Sequence, residues 1–371
     1  MVAIGSEGMN EGRHAMAHAA LVCFLGGSTI LVSSLLIAFN KYLIHEDRFP
    51  FAVPLVMCHM FFCSLMSLSL FLVCPSLFPS RSDPEKRVSI DFSILFKGVV
   101  PVACLFSLQL VLSNTAYLHS TVAFLQMMKE AQLVLVFIFS VLLALEVVTV
   151  RACLLICWIT FATSLTIHGE LNFSWTGFAL QGFCVVVESL RLVLQGMLLA
   201  PKGRKLDPLT YVMLVTPLCF AMLAVLLGFL IYVSPMELLA TPSRHHLVTW
   251  WPMLLANACL AFVLNVAIAL FVKHSSPVAV ILAGLLKDIA IVAAGGLLLR
   301  ELISSLQIFG FVLQIFGIFL WSMLRTFPEQ FENGILRGFI VIGDRLCNAP
   351  IGKKDLEDKG YGSIEAGQKS S

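Results

Sequence analysis

The chain has 371 residues, of which 59% are hydrophobic and only 12% charged, and its mean hydropathy is +0.93. Soluble domains carry about 25% charged and about 45–50% apolar residues, so this composition excludes an ordinary soluble enzyme, a disordered chain and a nucleic-acid binder. The 24 Lys and Arg nearly cancel the 22 Asp and Glu, so the positions of the charges carry the information and their total does not.

A helix that crosses a bilayer needs about 20 mostly apolar residues. Lipid offers the backbone no hydrogen bonds, so only helices or a closed barrel can span it. Barrel strands alternate apolar and polar residues, whereas the segments here are apolar on all sides, so the expected class is an all-α membrane protein. A short polar cytosolic N-terminus (1–17) precedes ten expected spans. Five form a first half, 18–168: 18–43, 51–74, 93–117, 120–144 and 150–168. Five form a second half, 174–325: 174–199, 208–233, 247–272, 277–299 and 302–325. The tail 326–371 is charged, contains Gly and Ser, and reads as cytosolic and disordered beyond about Cys347. Nine of the eleven cysteines lie inside apolar segments and read as small buried hydrophobes. His59 and His119 read as packing or boundary residues. Gly284, Gly295, Gly296, Gly310 and Gly317 read as close-packing sites.

Cytosolic loops are enriched in Lys and Arg. With ten spans, seventeen of these residues fall on the face shared by both termini and four on the other. The asymmetry places both ends in the cytosol. The remaining three, Lys129, Arg191 and Lys287, lie deep within apolar segments.

A weak internal repeat accompanies this. Leu142–Glu146 reads LLALE and closes the fourth segment, while Leu297–Glu301 reads LLLRE and closes the ninth; each follows a Lys–acid pair, Lys129-Glu130 and Lys287-Asp288. Two five-helix halves must face the membrane oppositely, and inverted repeats place substrate near the midplane between them.

A Lys or Arg at the centre of a spanning helix costs about 2.5–3.5 kcal/mol, so each is expected to face a partner or a cavity. Adjacent residues on a helix point about 100° apart, so Glu130 and Asp288 are expected to pair across helices and not with their own neighbours. Two lysines from related helices could instead hold an anion. Glu188 and Arg191 share a face of the sixth segment; they could pair, or a free Arg191 could offer its planar fork to phosphate. Gln181, Cys184 and Gln195 continue that stripe, which fits a helix lining an aqueous path. Asn114, Asn257, Asn265 and Gln126 could bind a sugar or phosphate oxygen, or act as interhelical glue. No Walker sequence, metal-ligand cluster or nucleophile–base pair occurs, so neither a cofactor, a resident metal nor catalysis is expected.

Several short motifs then carry a likeness: Phe39–Tyr42 (FNKY), Ser113–Tyr117 (SNTAY) with Val122–Phe124 and Lys129, Gly169–Phe173 (GELNF), Ser189–Leu192 (SLRL), and Ser276-Pro277 before Ala283–Asp288 (AGLLKD). Their order and spacing, over roughly residues 20–325, resemble the triose-phosphate/nucleotide-sugar transporter family of the drug/metabolite transporter superfamily, in its plant-type sugar phosphate/phosphate translocator-like branch. The resemblance implies ten helices in two inverted halves. It also implies exchange of an organic phosphate or nucleotide sugar for inorganic phosphate or a nucleoside monophosphate. It assigns phosphate binding to Lys129 and Lys287 and retains the sixth-helix arginine as Arg191. Where plastid members carry arginine after the ninth-helix lysine, this chain has Asp288; a tyrosine of the eighth helix is Leu264, though the next asparagine is kept as Asn265; and the third-helix histidine has no counterpart near Leu110. The site thereby loses positive charge, which favours a larger or less highly charged solute than a triose phosphate.

The resulting expectation is an alternating-access antiporter of a small anionic phosphorylated solute, with the lipid bilayer as its surroundings. Lys129, Lys287 and Arg191 would bind substrate, with Asn265 and Asn114 orienting it. Glu188, Asp288 and Glu130 would pair the cations in the empty state. An uncoupled metabolite exporter and a non-transporting receptor or scaffold are the alternatives, and a homodimer is admitted. Residues 1–18 carry no Arg/Ser-rich transit stretch, so a Golgi membrane is expected, with the ER membrane and plastid envelope as alternatives.

Overall fold

The computed structural model describes residues 2–83, 88, 92, 95–199, 206–233, 242–274, 277–331 and 337–341. Their regular elements are all helices, with no strand among the described residues. In chain order the helices are α1 (Val2–Leu43), α2 (Ala52–Val73), α3 (Val100–Ala116), α4 (Val122–Lys129), α5 (Gln132–Leu142), α6 (Val150–His168), α7 (Trp175–Leu199), α8 (Pro208–Val233), α9 (Arg244–His274), α10 (Pro277–Leu297) and α11 (Ser305–Thr326). The expected disorder beyond Cys347 lies outside the described residues.

Among the described residues, nine stretches are long and apolar enough to cross a membrane; α4 and α5 together form one of them. Where the ninth span is expected, α10 is also helical, over 21 residues. Large apolar side chains such as Phe24, Leu72, Leu154, Trp175, Val225 and Val312 stand exposed around the bundle, as a lipid-facing belt requires. The chain is an all-α, multi-pass membrane protein.

Helix starts follow local chemistry. Thr121 Oγ1 accepts from Phe124 N at 3.2 Å and Thr149 Oγ1 from Ala152 N at 3.2 Å. Ser304 and Gln307 form a reciprocal capping box at the start of α11. Each satisfies backbone donors that a helix leaves unpaired.

Packing is pairwise and regular. α6 lies on α11, α3 on α7, and α2 on α8. α1 packs against α9 and α10, α7 against α3 and α5, and α9 and α3 against α2 and α8 respectively; α4 packs against α10. One end of the bundle gathers the segments around residues 41–48, 119–121, 172 and 298–301. A second group, residues 146–155 and 321–331, meets elsewhere; there Arg325 is ion-paired with Glu146, and Arg151 Nη1 donates to Phe331 O at 3.2 Å. At the first end Ser304 Oγ donates to Gly169 O at 2.6 Å and Gln307 Nε2 to Glu170 Oε2 at 2.5 Å. Burial raises the Glu170 carboxyl above its ordinary value, against the opposing hydrogen bonds from Asn172 and Gln307.

Two of the five glycines read as packing sites explain the close approach of α6 and α11. A Cβ on Gly310 would lie 2.8 Å from Thr166 N and 3.0 Å from Ala162 O, both backbone atoms of α6. One on Gly317 would meet the Ile159 and Trp158 side chains at 2.8 Å. Gly284 departs from the expectation: among the described residues nothing lies within 4 Å of the place its Cβ would occupy, so it is not a contact point between them. Because backbone cannot step aside, Gly310→Val is expected to lower the thermal midpoint in detergent by an amount matching an overpacking cost of about 1–3 kcal/mol or more. Gly27→Ala, where a Cβ meets nothing within 4 Å, should not lower the midpoint and should raise it slightly, since alanine is the better helix former. Equal midpoints for both variants would contradict this account of α6–α11 packing.

Candidate functional site

The charged residues buried in the apolar segments converge around the end of α4. This helix runs only eight residues. At Glu130 and Ala131 the chain tightens into i→i−3 turns, Ala131 N donating to Met128 O and Val134 N to Ala131 O, both at 3.1 Å, before α5 begins. The fourth expected segment, 120–144, is therefore two helices. Irregular backbone at membrane depth is tolerated where protein or a cavity surrounds it, and in transporters such interruptions sit beside the binding site.

One cluster joins α4 to α7. Lys129 Nζ lies 3.0 Å from Glu188 Oε1. The Glu188 side chain is 8% exposed and that of Lys129 is 35% exposed, so the acid is enclosed while the lysine side chain is only partly covered. Arg191 Nη2 stands 4.0 Å from the same Glu188 oxygen. Its Nε donates to Gln109 Oε1 at 2.6 Å and its Nη1 to Gln195 Oε1 at 2.5 Å. Its guanidinium lies 4.8 Å over the Phe106 ring. Arg191 is therefore held by α3 and α7 and is not free here. Gln109 and Phe106 were not singled out from the sequence, although a glutamine in an otherwise apolar third segment was a usable signal.

A second cluster joins α4 to α10. Lys287 Nζ lies 2.9 Å from Asp288 Oδ1. Gln126 Nε2 donates to that oxygen at 2.8 Å and reaches Glu130 Oε1 at 3.4 Å. The expectation that Asp288 cannot pair with its neighbour is thus corrected. Cβ directions diverge along a helix, but four methylenes let the ammonium curl back to an adjacent carboxylate. Asp288 is buried, and the Lys287 side chain is 31% exposed.

The asparagines pack between helices. Asn114 Nδ2 donates to Leu110 O at 2.8 Å and its oxygen faces Asn40 Nδ2 at 3.5 Å. Asn265 Nδ2 donates to Ala261 O at 3.0 Å and lies 3.7 Å from Cys63 Sγ. Asn257 pairs with His59 across α9 and α2. The α7 stripe is likewise a packed seam and not an aqueous lining: buried Gln181 donates to Leu125 O at 3.0 Å, and buried Cys184 contacts Gln109 O at 3.5 Å.

Six ionisable groups gathered between spanning helices, beside an interrupted helix, define a membrane transport protein. The chain belongs to the Triose-phosphate Transporter family, whose sequence profile matches residues 24–322; it is a transporter and not an enzyme. It is similar to several proteins of Arabidopsis thaliana, each called a probable sugar phosphate/phosphate translocator. One is 32% identical over 292 residues, covering 78% of this chain and 83% of the relative. A second is 31% identical with 78% and 82% covered, and a third 32% identical with 78% and 79% covered.

Proposed function

We propose that the chain exchanges a phosphorylated sugar or nucleotide sugar for inorganic phosphate or a nucleoside monophosphate, by alternating access of two five-helix halves, 18–168 and 174–325. The observation that carries this reading is the pair Lys129 and Lys287. They sit on α4 and α10, which pack together; their side chains are 35% and 31% exposed, each with a carboxylate at 3.0 or 2.9 Å. Such cations are charged but unsaturated, and an anion entering between them can displace the carboxylates. The names of the relatives point to phosphate and sugar phosphate as cargo.

The helix pairing supports the two-half reading. Numbering the spans one to ten, the first span packs on the eighth and ninth, and the sixth packs on the third and fourth. The second packs on the seventh and eighth, and the seventh on the second and third. Exchanging the halves reproduces the same set, as an inverted repeat requires. Lys129 with Arg191 and Glu188 would bind from one side of the central space and Lys287 with Asp288 and Glu130 from the other. Asn114 and Asn265 would hold the surrounding helices in register and orient the solute only after a rearrangement.

The decisive experiment is counter-exchange in proteoliposomes preloaded with phosphate, UMP or GMP and offered a panel of sugar phosphates and nucleotide sugars. Uptake that depends on the preloaded anion is expected. Uptake without any internal partner would favour an uncoupled exporter, and no uptake of any phosphorylated solute would end the reading. The Golgi membrane remains the expected location, and imaging a tagged chain against Golgi, ER and plastid-envelope markers tests it.

A further inference from the structure

The cluster between α4 and α10 holds one acid more than its cation can pair. Gln126 Nε2 donates to Asp288 Oδ1 at 2.8 Å and reaches Glu130 Oε1 at 3.4 Å, so a single amide brings the two carboxyl groups together. Lys287 Nζ takes Asp288 at 2.9 Å, and Lys129 Nζ takes Glu188 at 3.0 Å. Among the described residues no cation is ion-paired with Glu130. Glu130 is also the C-terminal cap residue of α4, where the helix dipole presents its negative end and disfavours a further negative charge.

The surroundings of Glu130 offer it no other partner. α4 packs against α1, α6, α7 and α10. From α7 come Glu188, taken by Lys129, and Arg191, held by Gln109 and Gln195. From α1 comes Lys41, which donates to Tyr117 O and Ser120 O before the start of α4. α5, which follows directly, has no titratable residue between Gln132 and Leu142. The charged groups that act on Glu130 are Asp288 and Lys287 of α10 and the adjacent Lys129.

Counted together, Lys129, Arg191 and Lys287 face Glu188, Glu130 and Asp288. With all six ionised the centre is neutral and gives an anion no net attraction. Two carboxylates in one site of low dielectric repel each other, and a proton retained between them relieves the repulsion; that proton belongs to the pair and not to either residue. Acids inside the membrane form proton relays in pumps and transporters. We propose that Glu130 and Asp288 hold one proton between them and that this proton crosses with the anionic cargo, taken from water at the face where the anion enters and returned to water where it leaves. With the proton in place, the anion meets three cations and two carboxylates. Without it, Lys287 is shared between two acids and the anion is turned away. The proposal rests on the transport reading above and adds a second cargo to it.

The test is exchange of inorganic phosphate for internal inorganic phosphate by the full chain in proteoliposomes, with the same pH on both sides. Binding linked to one proton weakens by up to about tenfold per pH unit, so the apparent KM should rise at least about fivefold between about pH 6 and about pH 8. Glu130→Gln carries the charge of the protonated form and should lose most of that rise, its KM staying near the wild-type value at the acid end. Asp288→Asn leaves one acid for Lys287 and should also flatten the profile, which decides the matter should Glu130→Gln fail to fold. A structural role alone would move the thermal midpoint and leave the slope. A flat wild-type profile overturns the proposal. So does a wild-type slope kept in the variants, because the titrating group is then the phosphate itself. If the wild type exchanges no phosphate, the transport reading fails separately, and infrared spectra of the purified chain decide the pair. The carbonyl stretch of a protonated carboxyl group at neutral pH, lost in Glu130→Gln/Asp288→Asn, supports the shared proton; spectra without that difference overturn it.

Discussion

Replacing Lys129 by alanine is expected to cut counter-exchange about a hundredfold, a loss of about 2.7 kcal/mol that matches one or two charge-assisted contacts to a phosphate. The same change has a structural consequence that must be separated from the functional one. Glu188 is 8% exposed and has Lys129 at 3.0 Å as its close partner. Removing one member of a buried ion pair costs about 3–5 kcal/mol, because it strands the other charge. Arg191, 4.0 Å from the same oxygen, softens that cost toward the lower end. Lys129→Ala should therefore lower the thermal midpoint as well as the rate. The double variant Lys129→Ala/Glu188→Ala removes the stranded acid and should recover most of the midpoint while exchange stays lost. Recovery of exchange in the double variant would show that Lys129 serves only to neutralise Glu188.

The helices were legible because lipid leaves the backbone so few options: a run of about 20 apolar residues has to be helical, and nine of the ten expected spans fall within a few residues of stretches long and apolar enough to cross a membrane among the described residues. The buried charges were legible for the same reason. In a chain with 12% charged residues, Lys129, Arg191 and Lys287 stand out against their surroundings, and the bundle brings each to an acid. What was not legible is which partner each one takes. Spacing along a helix predicts Cβ directions, and it failed at Lys287-Asp288 because a long flexible side chain is not bound by its Cβ direction. It also could not foresee that Arg191 would be held by Gln109 from α3, a residue 82 positions away. Nor did it foresee the Glu301 carboxylate accepting from the Val122 and Ala123 amides at the start of α4, since a carboxylate at a loop end reads as solvated until the fold places a helix terminus before it. The break between α4 and α5 had no Pro or Gly to announce it.

Asp288→Asn carries the largest expected gain. Asp288 is buried, and its Oδ1 sits between the Lys287 ammonium at 2.9 Å and the Gln126 amide at 2.8 Å. Asparagine keeps an acceptor for Gln126 and withdraws the charge that competes with an incoming anion. The apparent KM for the phosphorylated solute should fall about tenfold, equivalent to about 1.4 kcal/mol. Tighter binding at both faces does not speed the conformational step, so the maximal rate should fall with the KM. Glu130 sets the limit of the effect. It shares the Gln126 amide at 3.4 Å, and a Lys287 freed from Asp288 can turn toward it, so Asp288→Asn/Glu130→Gln should lower the KM further than the single change. Asp288→Arg goes beyond neutralisation, since it restores the cation that the resemblance assigns to this position in plastid translocators. It should shift preference toward smaller, more highly charged phosphate esters. A KM that does not move in Asp288→Asn would mean that Lys287 lies off the path of the solute, and that this cluster ties α10 to α4 without binding cargo.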